Sequence, residues 1–366
     1  MTNLTLTIIV PIYNVEKYLG QCLDSLISKE CTGKYEVLLI DDCGKDSSIE
    51  IAKEYLNQHP NIFTLIRHNT NKGLSAARNT GLAQAKSRYT MFIDSDDWLS
   101  EGCVLKLLNE LETHSPDFLF FDYIRSWEDE DEPITFDEKI EKPQLLDDRL
   151  YSSLLQKISV NAWAKVFLTE HLQRFEFPEG ILFEDVALIP LVIVQCKNKL
   201  YLPQIKYFYR QREDSIMGEN MEDAKGLFHA YKKLYSICDE EVDDSLIQDF
   251  TCILTRNWLT RVRIAYRRGK HRNSIEFLDN GISFFNKENN KWHKNKNLIS
   301  YLASDSYLSK IKTKILLSLI KNKFFTSIFL LQVNYTPITF SNIKPLIIES
   351  YKYKSKRNLR TNPDFR

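Results

Sequence analysis

No two of the seven cysteines (Cys22, Cys31, Cys43, Cys103, Cys196, Cys238 and Cys252) are spaced as Cys-x-x-Cys, and their number is odd. This argues against a disulfide frame or a zinc ribbon and for free thiols in a reducing compartment, so the expected location is cytoplasmic. Glycine is scarce, 11 residues in 366. Neither Gly-x-Gly-x-x-Gly nor Gly-x-x-x-x-Gly-Lys-Ser follows the first apolar run, which removes a dinucleotide fingerprint and a P-loop. No run of about 18 uncharged apolar residues exists, so no spanning helix is expected. The opening MTNLTLTIIV lacks a basic n-region and Pro11 stops its apolar run; it reads as a first strand rather than a signal peptide. The histidines show no ligand spacing, no internal repeat appears, and nothing points to nucleic acid.

Net charge is also missing, but only in the sum: the formal total is zero. Residues 1–250 carry 26 Lys and Arg against 43 Asp and Glu, and the remainder reverses this with 23 against 6. Such asymmetry suggests a surface partner for the basic end. A solvated tail, or pairing with the acidic part of the same chain, is the plainer alternative.

What is present alternates. TLTIIV, YEVLLID, NIFTLIRH, YTMFID and DFLFFDY are near-continuous apolar runs, separated by helical patterns such as DSSIEIAKEYLNQ, GLSAARNTGLAQAK and SEGCVLKLLNELETH. Runs of this kind predict a parallel sheet covered on both faces, a doubly wound α/β layout with ligands at the C-terminal strand ends. WEDEDEPITFDEKIEKPQ reads as an exposed acidic excursion. Beyond about Leu145 the pattern is mostly helical, with an extended piece at NKLYLPQIKYFYR. A boundary is expected near 220, with 221–366 a helical basic module. Its stretch SKIKTKILLSLIKNKFFTSIFLLQ either packs as an amphipathic helix or lies in an anionic membrane surface.

The strand ends hold the chemistry. The fourth ends in Asp94-Ser95-Asp96-Asp97, and three like charges so close call for a cation between them. Strand geometry makes Asp94 and Asp96 point the same way, since side chains alternate with period two. Two hard oxygen ligands then suit Mg²⁺ or Mn²⁺ held jointly with substrate phosphates. A helix cap is the alternative, but one aspartate would serve for that. Asp42, closing YEVLLIDD, offers an acceptor for the N–H of a uracil ring, with Tyr13 facing the base. Asn71 and Arg78 sit in and after a turn entering a helix, where a guanidinium fork suits a diphosphate; a surface arginine is the alternative. Arg210 and Arg212 alternate on an extended piece and suit a phosphate, or form a solvated basic edge.

VPIYN, VLLIDD, NKGLSAARNTGL, FIDSDDWL and GILFEDVAL, in this order and spacing, resemble the inverting family 2 glycosyltransferases of the GT-A fold, especially bacterial members that build capsular, O-antigen or wall-polymer glycans. The likeness is strong over roughly 5–125, good over 145–220, and absent beyond 221. It implies a nucleotide-sugar half at about 1–125 and an acceptor half at about 145–220. Pro11, Tyr13 and Asp42 would hold uridine, with Asn71, Arg78 and Asp94 near the nucleotide. Asp94 and Asp96 would bind the metal, and Asp185 of the Glu184-Asp185 pair would be the catalytic base. Asp97, Trp163 and Glu184 would stand near the donor or acceptor sugar. Trp163 and Lys165 in NAWAKVF, and Arg210 and Arg212, also match the bacterial subgroup. Neither a Gln-x-x-Arg-Trp motif nor membrane spans are present, so the resemblance implies a non-processive enzyme.

The chemistry expected is single displacement at C1 of a nucleotide sugar, UDP-linked by likeness. A divalent ion would stabilise the leaving diphosphate and Asp185 would take the proton of an acceptor hydroxyl. An acidic first turn for the following helix is the structural alternative for Glu184-Asp185. The acceptor would be a glycan, linked to a polyprenyl diphosphate if the basic end meets a membrane. Two rivals stand beside this reading. A non-catalytic nucleotide-sugar-binding scaffold would lack turnover, and a sugar nucleotidyltransferase would need a glycine-rich loop where PIYN stands.

Overall fold

The computed structural model describes residues 4–147, 159–211, 223–238, 244–267, 271–289, 291–296 and 298–299. Arg212 and the basic stretch from residue 300 onward lie outside them. The chain divides into two compact units, 1–219 and 220–366.

The first unit is built on one mixed sheet. Its strands are β1 (Leu6–Ile12), β2 (Tyr35–Asp41), β3 (Phe63–Arg67), β4 (Tyr89–Phe92), β5 (Trp98–Leu99), β6 (Phe118–Ser126), β7 (Asp131–Ile134), β8 (Gln144–Leu145), β9 (Lys165–Leu168) and β10 (Lys199–Arg210). The order is β3-β2-β1-β4-β9-β6-β10-β5, with β7 on β6 and β8 on β10. Strands β1 to β4 pair in parallel, as the alternating pattern predicts. The antiparallel β9 then joins β4 to β6, so the sheet is mostly parallel but not wholly so. The acidic excursion, expected to be exposed, is partly a hairpin: β7 folds back on β6 and is itself largely exposed, but Phe136, which follows it, is buried.

Every residue of β1 is buried, because side chains alternate and both faces are covered. Leu6, Ile8, Val10 and Ile12 join one cluster with residues from α1 (Leu19–Ser25), α2 (Ser48–Gln58) and α4 (Cys103–His114). Ile9 belongs to the other cluster, with α3 (Leu74–Gln84) and α6 (Glu184–Gln195). Between them in sequence lies the short α5 (Thr169–Leu172). Each such aliphatic residue contributes roughly 1.5–3 kcal/mol by burial, so the central strands anchor the core on both faces of the sheet.

The second unit contains α7 (Asp223–Cys238), α8 (Asp244–Arg267) and α9 (His271–Glu288). Trp258 of α8 is fully buried and its indole donates to the carbonyl of Phe277. A Cβ at Gly281 of α9 would meet Trp258 Cε2 at 2.0 Å, so only glycine admits this ring. The Tyr231 hydroxyl ties α7 to the Leu254 carbonyl of α8.

Candidate active site

The parallel strands finish on one level. Ile12, Asp41 and Arg67 lie side by side in register, and the Asp42 N–H donates to the Ile12 carbonyl. Loops leaving β1 and β2 are laced together. Asn14 Oδ1 accepts from Lys45 N at 2.8 Å, the Glu16 N–H donates to Asp46, and the Val15 N–H donates to Ser48 Oγ. Tyr13 stands out of this framework, 46% exposed.

Asp42 is buried and its carboxylate accepts from the Lys72 and Gly73 N–H groups at 2.8 and 2.7 Å. His68 Nδ1 lies 2.7 Å from the same carboxylate and donates to it, because a carboxylate only accepts. The ring's Nε2 pairs with Thr80 Oγ1 at 2.8 Å. Asp42 therefore clamps the loop that carries the exposed Asn71 to the end of β2. His68 was not singled out from sequence, and no spacing signal would have found it.

The acidic rim differs from the expectation of a continuing strand. β4 ends at Phe92, and the Asp97 N–H donates back to the Asp94 carbonyl at 3.0 Å, so residues 94–97 form a turn. Period-two alternation does not apply there. Asp94 and Asp96 are partly exposed, whereas Asp97 is 1% exposed. Asp97 does not face a sugar: it accepts from the Tyr207 hydroxyl at 2.6 Å and from the Arg210 N–H at 2.8 Å. Burial first, then the charges of Asp96 and Asp94, push its carboxyl well above the usual carboxylate range.

Arg210 also differs from its expected phosphate role. Its Nε donates to the Asp96 carbonyl at 2.8 Å, and a terminal nitrogen reaches Gln21. The guanidinium lies over the rings of Trp98 and Tyr18, 4.5 and 4.8 Å from their centres. It braces the turn rather than reaching for a ligand. Trp163 is buried, stacked on Tyr207 with centroids 4.6 Å apart, and bridges to Phe92 beside the rim. Lys165 is buried behind it and donates to Asn161 Oδ1 and the Trp163 carbonyl.

Arg78 is 2% exposed rather than presented to a diphosphate. One terminal nitrogen donates to Asp94 Oδ1 at 2.8 Å and the other to Glu184 Oε1. Burial works against its charge, but Asp94, Glu184 and Asp185 outweigh this and hold its pKa above the ordinary value. Asp94 and Glu184, one from each motif, thus share one buried cation, and Asp185 lies close enough for its charge to act on it. Asp185, partly exposed in the first turn of α6, accepts from its neighbour Val186 N–H at 2.7 Å. Burial and the Glu184 charge push its pKa up to about 7, against the lowering effect of Arg78.

Backbone strain collects at the same places. Among the described residues, five other than glycine have positive φ, and four of them adjoin the residues above: Asn14 after Tyr13, Cys43 after Asp42, Ala164 after Trp163 and Phe183 before Glu184. Such conformations cost about 1–3 kcal/mol each and persist where surroundings over-determine them, often at functional sites. Among the described residues no group of three or more His, Cys, Asp or Glu forms an all-protein metal cage.

A mostly parallel sheet whose strand ends gather carboxylates, with an antiparallel strand beside the central pair, is the architecture of a GT-A glycosyltransferase. The solved structure of residues 1–349 of Staphylococcus aureus TarS with UDP-GlcNAc shares the fold, with a TM-score of 0.63 over 96% of this chain and 92% of that one, at 18% identity. The family model for glycosyl transferase family 2 matches residues 7–169. A Haemophilus influenzae glycosyltransferase is 30% identical over 234 residues, 62% of this chain and 88% of that protein. The Bacillus subtilis minor teichoic acid biosynthesis protein GgaB is 31% identical over 231 residues, 61% of this chain and 24% of its own length. The chain spans only 17–31% of the longer curated relatives it matches. It belongs to glycosyl transferase family 2.

Proposed function

We propose that the protein is an inverting glycosyltransferase that moves a sugar from a nucleotide-linked donor to a hydroxyl of a glycan acceptor in bacterial surface-polymer synthesis. The observation that carries this reading is Asp185: a partly exposed carboxylate held near the rim with its pKa raised to about 7. A base is most effective when its pKa lies near the working pH. Asp185 takes the acceptor hydroxyl proton as the new C1–O bond forms and the bond from C1 to the diphosphate oxygen breaks. Its neighbour Glu184 is paired with the buried Arg78 and is not free to attack C1. One base without a carboxylate nucleophile supports single displacement with inversion.

Tyr13, Pro11, Asp42 and Asn71 frame the uridine side, with Tyr13 and Asn71 exposed and Asp42 fixing the loop that carries Asn71. A UDP-linked donor is the one to test first, because TarS, which shares the fold, is bound to UDP-GlcNAc. Asp94 and Asp96 fit a divalent ion by the chemistry of the donor set: two partly exposed hard oxygen groups on one turn, with too few protein ligands to complete the shell. Mg²⁺ and Mn²⁺ in such sites take their remaining ligands from phosphates and water. When bound, that ion would neutralise charge on the departing diphosphate. The wall-polymer setting is supported by the teichoic acid relative.

Release of UDP and transfer to a glycan acceptor test the proposal, with a panel of UDP-sugars and with or without EDTA. In Asp185→Asn, kcat should fall about 10²–10⁴-fold while calorimetry still detects UDP binding. Wild-type turnover in that variant would eliminate Asp185 as the base.

A further inference from the structure

We propose that Trp127, at the tip of the β6–β7 hairpin, is a stacking platform for an uncharged sugar ring of the acceptor glycan, and that the five acidic residues after it turn anionic chains away. This rests on the function proposed above and names the acceptor class for that site.

The hairpin stands next to the rim. Arg210, whose N–H reaches Asp97, is the register partner of Ser126, and the Gln211 N–H donates to the Ser126 carbonyl at 2.7 Å. One strand spacing and one peptide step then put the Trp127 Cα at most about 9 Å from that of Arg210, within the span of a short oligosaccharide. The ground between them is firm. Trp163 packs against Tyr207, Tyr123 and Tyr209 with ring centroids 4.6, 5.0 and 5.0 Å away. The return strand is pinned as well. Phe136 is buried, its N–H donates to Asp122 Oδ1 at 3.1 Å, and the same oxygen accepts from the Tyr201 hydroxyl at 2.7 Å.

On this fixed hairpin Trp127 is 44% exposed, although its N–H closes the turn on the Glu130 carbonyl at 2.8 Å. The C–H groups on one face of a pyranose are apolar and weakly positive, and they match the electron-rich face of an indole. Glu128, Asp129, Glu130, Asp131 and Glu132 follow without a break and are all exposed. Among the described residues Glu132 alone of these is in an ion pair, with Arg125 at 3.1 Å. Such charges keep an edge strand from joining other chains, a purpose that a bare indole at the tip works against. Together the indole and the charges fit a ring without negative charge, because a phosphate or carboxylate brought there would meet its like.

The indole N–H resonances of the isotope-labelled full chain test this, since the sequence has only five tryptophans and Trp127→Phe assigns the one in question. Neutral tetrasaccharides of glucose and of N-acetylglucosamine should shift that resonance, and the anionic tetragalacturonate should bind at least about tenfold more weakly. Combining Glu128→Gln, Asp129→Asn and Glu130→Gln should narrow that gap. With the glycan acceptor of the transfer assay, Trp127→Ala should raise acceptor KM about tenfold while kcat and UDP affinity stay unchanged, as for lost uniform binding. Trp127→Phe should recover part of the loss. Acceptor KM within about twofold of wild type in Trp127→Ala, no shift of the Trp127 resonance by either neutral tetrasaccharide, or tetragalacturonate binding as tightly as they do would each overturn the proposal. A shift caused by phosphatidylcholine vesicles and by no sugar would assign the tip to a lipid surface instead. A chain that responds to neutral sugars but neither binds UDP nor transfers sugar would overturn the proposed function alone and leave a glycan-binding tip.

Discussion

Asp185 illustrates how much a single residue owes to its neighbours. An aspartate in water is ionised far below neutral pH; here burial and Glu184 move it to about 7. A general base works only when deprotonated, so kcat/KM should rise with pH through about 7 and level off above it. A profile flat between about pH 5 and 8 would remove Asp185 from that role. The motif Glu184-Asp185 was legible in sequence, but its electrostatics were not. Arg78 showed itself as a basic residue near the nucleotide, yet only folding revealed that it is buried between Asp94 and Glu184. His68 gave no signal at all. It reaches Asp42 because β2 and β3 pair in register, bringing together residues 26 positions apart.

Elements decide where such residues stand. Helix α3 lies close on β1 because Gly81 has no side chain: a Cβ there would sit 2.4 Å from Ile9 Cγ2. Ile9 is fully buried and β-branched, so it has little room to give. Gly81→Ala should therefore destabilise the first unit by about 1–3 kcal/mol through overpacking, more than the helix propensity it gains, up to about 1 kcal/mol. Urea unfolding would register the loss, and an increase in stability would refute the close approach. The strand runs were readable from their apolar continuity, which parallel strands buried on both faces require. The turn at 94–97 was not, since FIDSDDW carries no proline or glycine to mark where β4 stops. The reversal depends on Tyr207 and Arg210 of β10, more than 100 residues away, which hold Asp97.

At the scale of the molecule, two units each have their own core. Every residue assigned here to donor binding or catalysis belongs to 1–219. Residues 1–219 expressed alone should fold and bind UDP with an affinity within about an order of magnitude of the full chain, as expected for an independently folding domain. A fragment that unfolds, or loses UDP binding altogether, would show that the second unit completes the first. Composition and motif order were enough to establish the α/β class, the family and the strand-end carboxylates, because burial periodicity and local motifs are written in neighbouring residues. Which carboxylate braces a turn, which stays open at the rim, and which shares a cation with the base was settled only in three dimensions. Those roles arise from contacts between distant residues, and a buried charge takes its character from whatever the fold sets against it.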